Sequence, residues 1–109
     1  MKTIRFIVEN DKIRWDPNYY QLSLVEGSNV NARFIFSKEW DGYTKVVGFR
    51  RGNIELEPKA LSYGFSCDIP KEALIGTFFR LYVLGKKDGH VRSTNSILVN
   101  VTKSKVTDK

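Results

Sequence analysis

Cysteine, histidine and methionine each occur only once in this chain. A single cysteine excludes an internal disulfide, and one thiol with one imidazole is too small a set for a zinc site of the usual kind. Proline is scarce, at three residues. No apolar run approaches the roughly 20 residues that a helix needs to cross a bilayer. No uninterrupted apolar stretch follows the charged start Met1-Lys2-Thr3-Ile4-Arg5-Phe6, so a secretory signal is not expected. Acidic residues are in deficit, twelve against eighteen basic, giving a formal charge of +6. That excess suits an anionic partner. The cations are scattered, however, and only Arg50-Arg51 and Lys86-Lys87 are adjacent. The expectation is weak, salt-sensitive and sequence-blind attraction to nucleic acid, and no membrane association.

What is present is apolar and aromatic: 41 % hydrophobic and 13 % aromatic residues in 109. That is one domain with a real core, taken as residues 1–101, followed by a flexible tail over 102–109. Period-two alternation runs through Ile4-Phe6-Val8, Ile13-Trp15, Leu22-Leu24, Val30-Ala32-Phe34-Phe36, Lys45 to Arg50, Ile54-Leu56, Phe65-Cys67-Ile69, Phe79-Leu81-Val83 and Ile97-Val99-Val101. Breakers separate these runs at Asn10-Asp11, Glu26-Gly27-Ser28-Asn29, Gly42, Arg51-Gly52-Asn53 and Lys86-Lys87-Asp88-Gly89. One helical turn is expected over Pro70-Lys71-Glu72-Ala73-Leu74. About seven to nine short strands with turns at this spacing predict an all-β, antiparallel, immunoglobulin-like β-sandwich. A small closed barrel is the alternative, since alternation does not distinguish closure from stacking.

The chemistry is read mostly by elimination. His90 follows Gly89 in a hairpin tip, where nothing would orient it as a general base. Cys67 alternates with Phe65 and Ile69 and reads as a buried small hydrophobe, not a nucleophile. Carboxylates are dispersed, and no glycine-rich phosphate loop precedes a helix. No catalytic, metal-binding or cofactor-binding residue is assigned, and the chain is not expected to be an enzyme. Phe6, Phe34, Phe36, Phe49, Phe65 and Phe79 are expected in the core. Trp40, between two strands, is expected to plug one end of it. Trp15, Tyr19 and Tyr20 fall in the loop-like segment Trp15-Asp16-Pro17-Asn18-Tyr19-Tyr20. There they either fold back as a lid over the sandwich or form a partner-contact surface.

Phe34-Ile35-Phe36-Ser37, Glu39-Trp40-Asp41-Gly42-Tyr43 and Phe49 are followed in order by Cys67-Asp68-Ile69-Pro70, Glu72-Ala73-Leu74, the Phe79 to Gly85 run and Thr94-Asn95. Over roughly residues 30–101 this pattern resembles small tail and baseplate proteins of tailed phages and prophages of Gram-positive bacteria. Within that group it is similar to the N-terminal immunoglobulin-like domain of baseplate upper proteins, which carry further domains after it. The shared residues look like fold determinants, so the resemblance carries structure and not a binding site. It implies a virion structural or assembly role, made in the bacterial host cytoplasm and assembled into the particle. The implied partners are other virion proteins or further copies of the chain. The alternative is a recognition module that binds host-surface carbohydrate or nucleic acid through loop aromatics and the basic surface.

Overall fold

The structure, a computed structural model, describes residues 2–19 and 23–103. Strands β1 (Lys2–Glu9) and β2 (Lys12–Trp15) form a hairpin. Asn10 takes a positive φ of 54° at its turn, a conformation that asparagine tolerates better than most residues. Next in order are β3 (Ser23–Val25), β4 (Val30–Phe36), β5 (Thr44–Arg51), β6 (Ile54–Glu55) and β7 (Lys59–Ala60). The chain then forms β8 (Ser66–Asp68), β9 (Phe78–Lys87), β10 (His90–Ser93) and β11 (Ile97–Thr102). They make two sheets. The first has the order β2-β1-β4-β8, and the second β3-β11-β9-β5-β6, with β10 also on β9 and β7 also on β5.

The all-β sandwich is therefore present, with the core between two separate sheets and not inside a closed barrel. Ile4, Phe6 and Val8 from β1 meet Val47, Phe49, Phe79, Leu81 and Val83 from the second sheet, all with no exposed surface. Trp40 is fully buried at the end of the 3-10 turn Lys38–Trp40 and donates Nε1–H to Asn10 O at 2.7 Å. It fills the space left by Gly85, whose Cβ, if present, would lie 2.8 Å from the indole. Cys67 is buried on the inner face.

Several expectations change. The pairing is not wholly antiparallel: β1 runs parallel to β4, and β11 parallel to β3. Between β1 and β4 the chain crosses to β3 in the opposite sheet and returns, and such a crossover leaves the two strands pointing the same way. The strands number eleven among the described residues, because β6 and β7 are two-residue pieces on either side of Pro58. The turn at Lys71–Ala73 forms as a 3-10 turn, with two more at Pro17–Tyr19 and Lys38–Trp40. The last strand includes Thr102, one residue past the expected domain end, while Leu22 and residues 104–109 lie outside the described residues.

Phe65 is not core. It is 41 % exposed, because Tyr63 and Gly64 take positive φ of 54° and 80° and end the alternation before β8 begins at Ser66. Ile54 is also half exposed, beside the turn at Gly52, whereas Leu56 packs against the core.

Candidate interaction surface

Arg5-Phe6-Ile7 in β1 and Arg33-Phe34-Ile35 in β4 are the same tripeptide, and the parallel pairing sets them in register. Strand alternation sends the phenylalanines inward and the other two pairs outward. Inside, the Phe6 and Phe34 rings stack with centroids 5.5 Å apart. Outside, Ile7 lies beside Ile35, and Arg5 beside Arg33. Like charges directly across neighbouring strands oppose pairing, and neither arginine forms an ion pair among the described residues. Asp16, which follows β2, turns its carboxylate to the N–H of Asn18 at 3.0 Å instead.

Aromatic rings take the place of carboxylates. The Arg5 guanidinium lies 5.8 Å from the Tyr19 ring centroid on the β2 side. The Arg33 guanidinium lies 5.8 Å from that of Phe65 on the β8 side. Both separations are within cation–π range. Tyr63 stands 6.4 Å from Phe65 and is 94 % exposed at the apex of its turn. The outer face of the first sheet thus carries an aliphatic centre, two guanidiniums with no acidic partner among the described residues, and flanking aromatic rings.

Of the residues that the sequence points to, Trp15 does not lie in a loop. It ends β2 facing inward, opposite Phe6, with ring centroids 4.7 Å apart. Its half-buried ring packs against the core, as the parity that Ile13 and Trp15 share in their strand requires. Tyr19 is half buried beside Arg5 in the turn Pro17–Tyr19. Tyr20 lies outside the described residues. Sequence reasoning does not single out Arg5, Arg33 or Tyr63, and it places Phe65 in the core. The repeated Arg-Phe-Ile tripeptide is the available signal for the arginines, while Tyr63 offers none until its backbone is known.

The rest of the surface offers less. His90 opens β10 and is exposed, with no hydrogen bond orienting its ring among the described residues. Nearby Arg92 pairs with Asp11 at 3.3 Å, donates to Glu39 O at 3.0 Å and covers the Trp40 and Tyr43 rings. Those contacts hold the Trp40 turn in place. An open cleft of about 830 Å³ separates the β6–β7 edge from β8, with Glu57, Asp68 and Glu72 interleaved with Lys59 and Lys71. Lys71 donates to Gly27 O at 2.8 Å. Burial pushes the Cys67 thiol up to about 12, far from the thiolate that nucleophilic chemistry needs. Among the described residues no three His, Cys, Asp or Glu side chains gather as a metal site, and no helix is long and apolar enough to cross a membrane. Set against known protein families, curated proteins and solved structures, the chain matches none.

Proposed function

We propose that this chain is a non-enzymatic virion module of a tailed phage or prophage, a tail, baseplate or fibre component that works through protein–protein contacts. The resemblance over residues 30–101 supports the virion assignment. The observation that carries the contact role is the outer face of the first sheet. Arginine and aromatic residues around an aliphatic centre make up the composition typical of interface hot spots. The alternative, recognition of carbohydrate or nucleic acid through loop aromatics, loses support from the position of Trp15, whose ring packs on Phe6.

The test is quantitative mass spectrometry of particles purified by density gradient from a strain that carries the gene, before and after prophage induction. The expected result is the chain in fixed stoichiometry with tail proteins. Particles that lack it would overturn the assignment.

A further inference from the structure

We infer that the outer face of the first sheet docks an acidic protein segment, its carboxylates seated on Arg5 and Arg33 and its apolar side chains on Ile7 and Ile35. This rests on the protein-contact reading above and gives its partner a chemistry. Two independent features point to it.

The first is electrostatic. A register that sets two arginines side by side is unfavourable unless something answers the charge, and no carboxylate does so among the described residues. The rings of Tyr19 and Phe65, each 5.8 Å from a guanidinium carbon, attract both cations without consuming their donors. Each can then meet a carboxylate with two parallel hydrogen bonds, the geometry in which arginine binds most selectively.

The second feature is conformational. Tyr63 adopts φ 54°, which costs a bulky residue energy and suits glycine or asparagine. It makes no core contact in return, being 94 % exposed. A strained, solvated tyrosine at a turn apex is poorly explained by folding, and well explained by a rim contact with a partner.

Protein is favoured over nucleic acid. Nucleic acid without sequence preference needs a row of cations along the backbone and open rings for base stacking. Among the described residues of β1, β2 and β4 the arginines of this face are Arg5, Arg33 and Arg14, the last paired with Glu9 at 2.9 Å. The Tyr19 and Phe65 rings each have a guanidinium beside them, and the centre is aliphatic, with Ile35 50 % exposed.

The experiment titrates the full chain into a fluorescent peptide of alternating glutamate and leucine, at about 0.15 M ionic strength. An oligothymidylate of equal charge runs in parallel. The expected result is saturable peptide binding that Arg5→Glu or Arg33→Glu weakens by about tenfold or more. Tyr63→Asn should weaken it several-fold while melting no lower than the parent, since asparagine accepts the turn conformation. Lys86→Glu, the same charge change elsewhere, should alter it far less. An alternating lysine–leucine peptide should bind the Arg5→Glu, Arg33→Glu double variant in preference to the parent.

No saturable peptide binding, equal losses in Lys86→Glu, or tighter binding of the oligothymidylate through the same arginines would each overturn the inference. If the arginine variants fail to fold, amide shift mapping on the parent decides instead, because the shifts must centre on β1 and β4. Particle composition decides the virion assignment separately, so either idea can fail without the other.

Discussion

Both outer faces of the sandwich carry a cross-strand pair of arginines, and they treat it differently. On the second sheet Arg50 lies opposite Arg80, and the row continues to Glu55 on one side and Leu98 on the other. Arg50 Nε meets Glu55 at 2.9 Å, and the Tyr82 hydroxyl donates to the same carboxylate. Tyr82 reaches it by lying flat across Gly48, where a Cβ would collide with the ring. On the first sheet the Arg5–Arg33 pair has rings beside it and no acid among the described residues. On the second face Arg50 has its acid, while Arg80 lies 6.0 Å from the Phe78 ring centroid with no ion pair among the described residues. On the first face neither arginine of the pair has one, and Arg14 alone is paired, with Glu9. Net charge therefore says little about which arginines are left without an acid, because Arg50 is paired while Arg5, Arg33 and Arg80 are not among the described residues.

The comparison assumes a rigid core beneath both faces, and the largest effect tests that assumption. Trp40→Ala removes a fully buried indole and its bond to Asn10 O. Its expected cost is ~3–5 kcal/mol, a large share of the stability of a domain this size. The melting curve should collapse, and both faces with it. A near-parental melting temperature would mean that Trp40 is not the plug. Cys67 reports on the same core: a polar thiol reagent should label it only on the timescale of unfolding. The sign agrees, because a thiol raised to about 12 stays protonated in the fold, so its stabilising share is intact below the ordinary thiol range and lost as pH rises above it.

A smaller change attacks the second face alone. Gly48→Ala forces the Tyr82 ring off β5, with an expected cost of ~1–3 kcal/mol. Glu55 should lose its tyrosine partner, while peptide binding on the opposite face stays unchanged. Acid makes the same distinction. Hydrogen bonds from Tyr82 and then Arg50 hold the Glu55 carboxyl below the usual glutamate range. Its stabilising share is therefore complete above that range and lost as pH falls through the lowered value. Amide shifts in β6 should follow this titration, and Tyr82→Phe should move its midpoint upward. An unmoved midpoint would remove the tyrosine from the network.

Alternation makes most of the sandwich legible in the sequence. Ile4, Phe6, Val8, Phe34, Phe49 and Leu81 all face inward as their parity requires. Period two says which face a residue takes inside a strand, and nothing about which strand lies beside it. The parallel β1–β4 pairing is therefore out of its reach, and with it the meeting of Arg5 and Arg33. Parity also fails at the edge of a strand: Phe65 alternates correctly with Cys67, yet the positive φ of Tyr63 and Gly64 carries it to the other side. Trp15 keeps the alternation it shares with Ile13, and the loop marked by Asp16-Pro17 begins only after it. The proposed contact face joins β1, β4 and the Tyr63 turn, which are distant in sequence, and the repeated Arg-Phe-Ile tripeptide is the one local trace of it.

The smallest expected effect bears most directly on the comparison, because its sign matters more than its size. Arg33→Glu replaces a like-charged neighbour of Arg5 with an opposite one on a half-open face. Cross-strand pairs of this kind contribute roughly 0.2–1 kcal/mol, so the variant should melt at or slightly above the parental temperature. Part of that gain is offset by losing the Arg33 stack on Phe65. The equivalent reversal on the other face, Glu55→Arg, should lower the melting temperature, because it sets a third arginine beside Arg50 and Arg80 and strands the Tyr82 hydroxyl. Thermal melts at low and high salt separate the charge effect from packing, since salt should shrink both shifts toward zero. A clear destabilisation by Arg33→Glu that salt does not change would mean that Arg33 is held in place for the fold, and the two faces would then be alike.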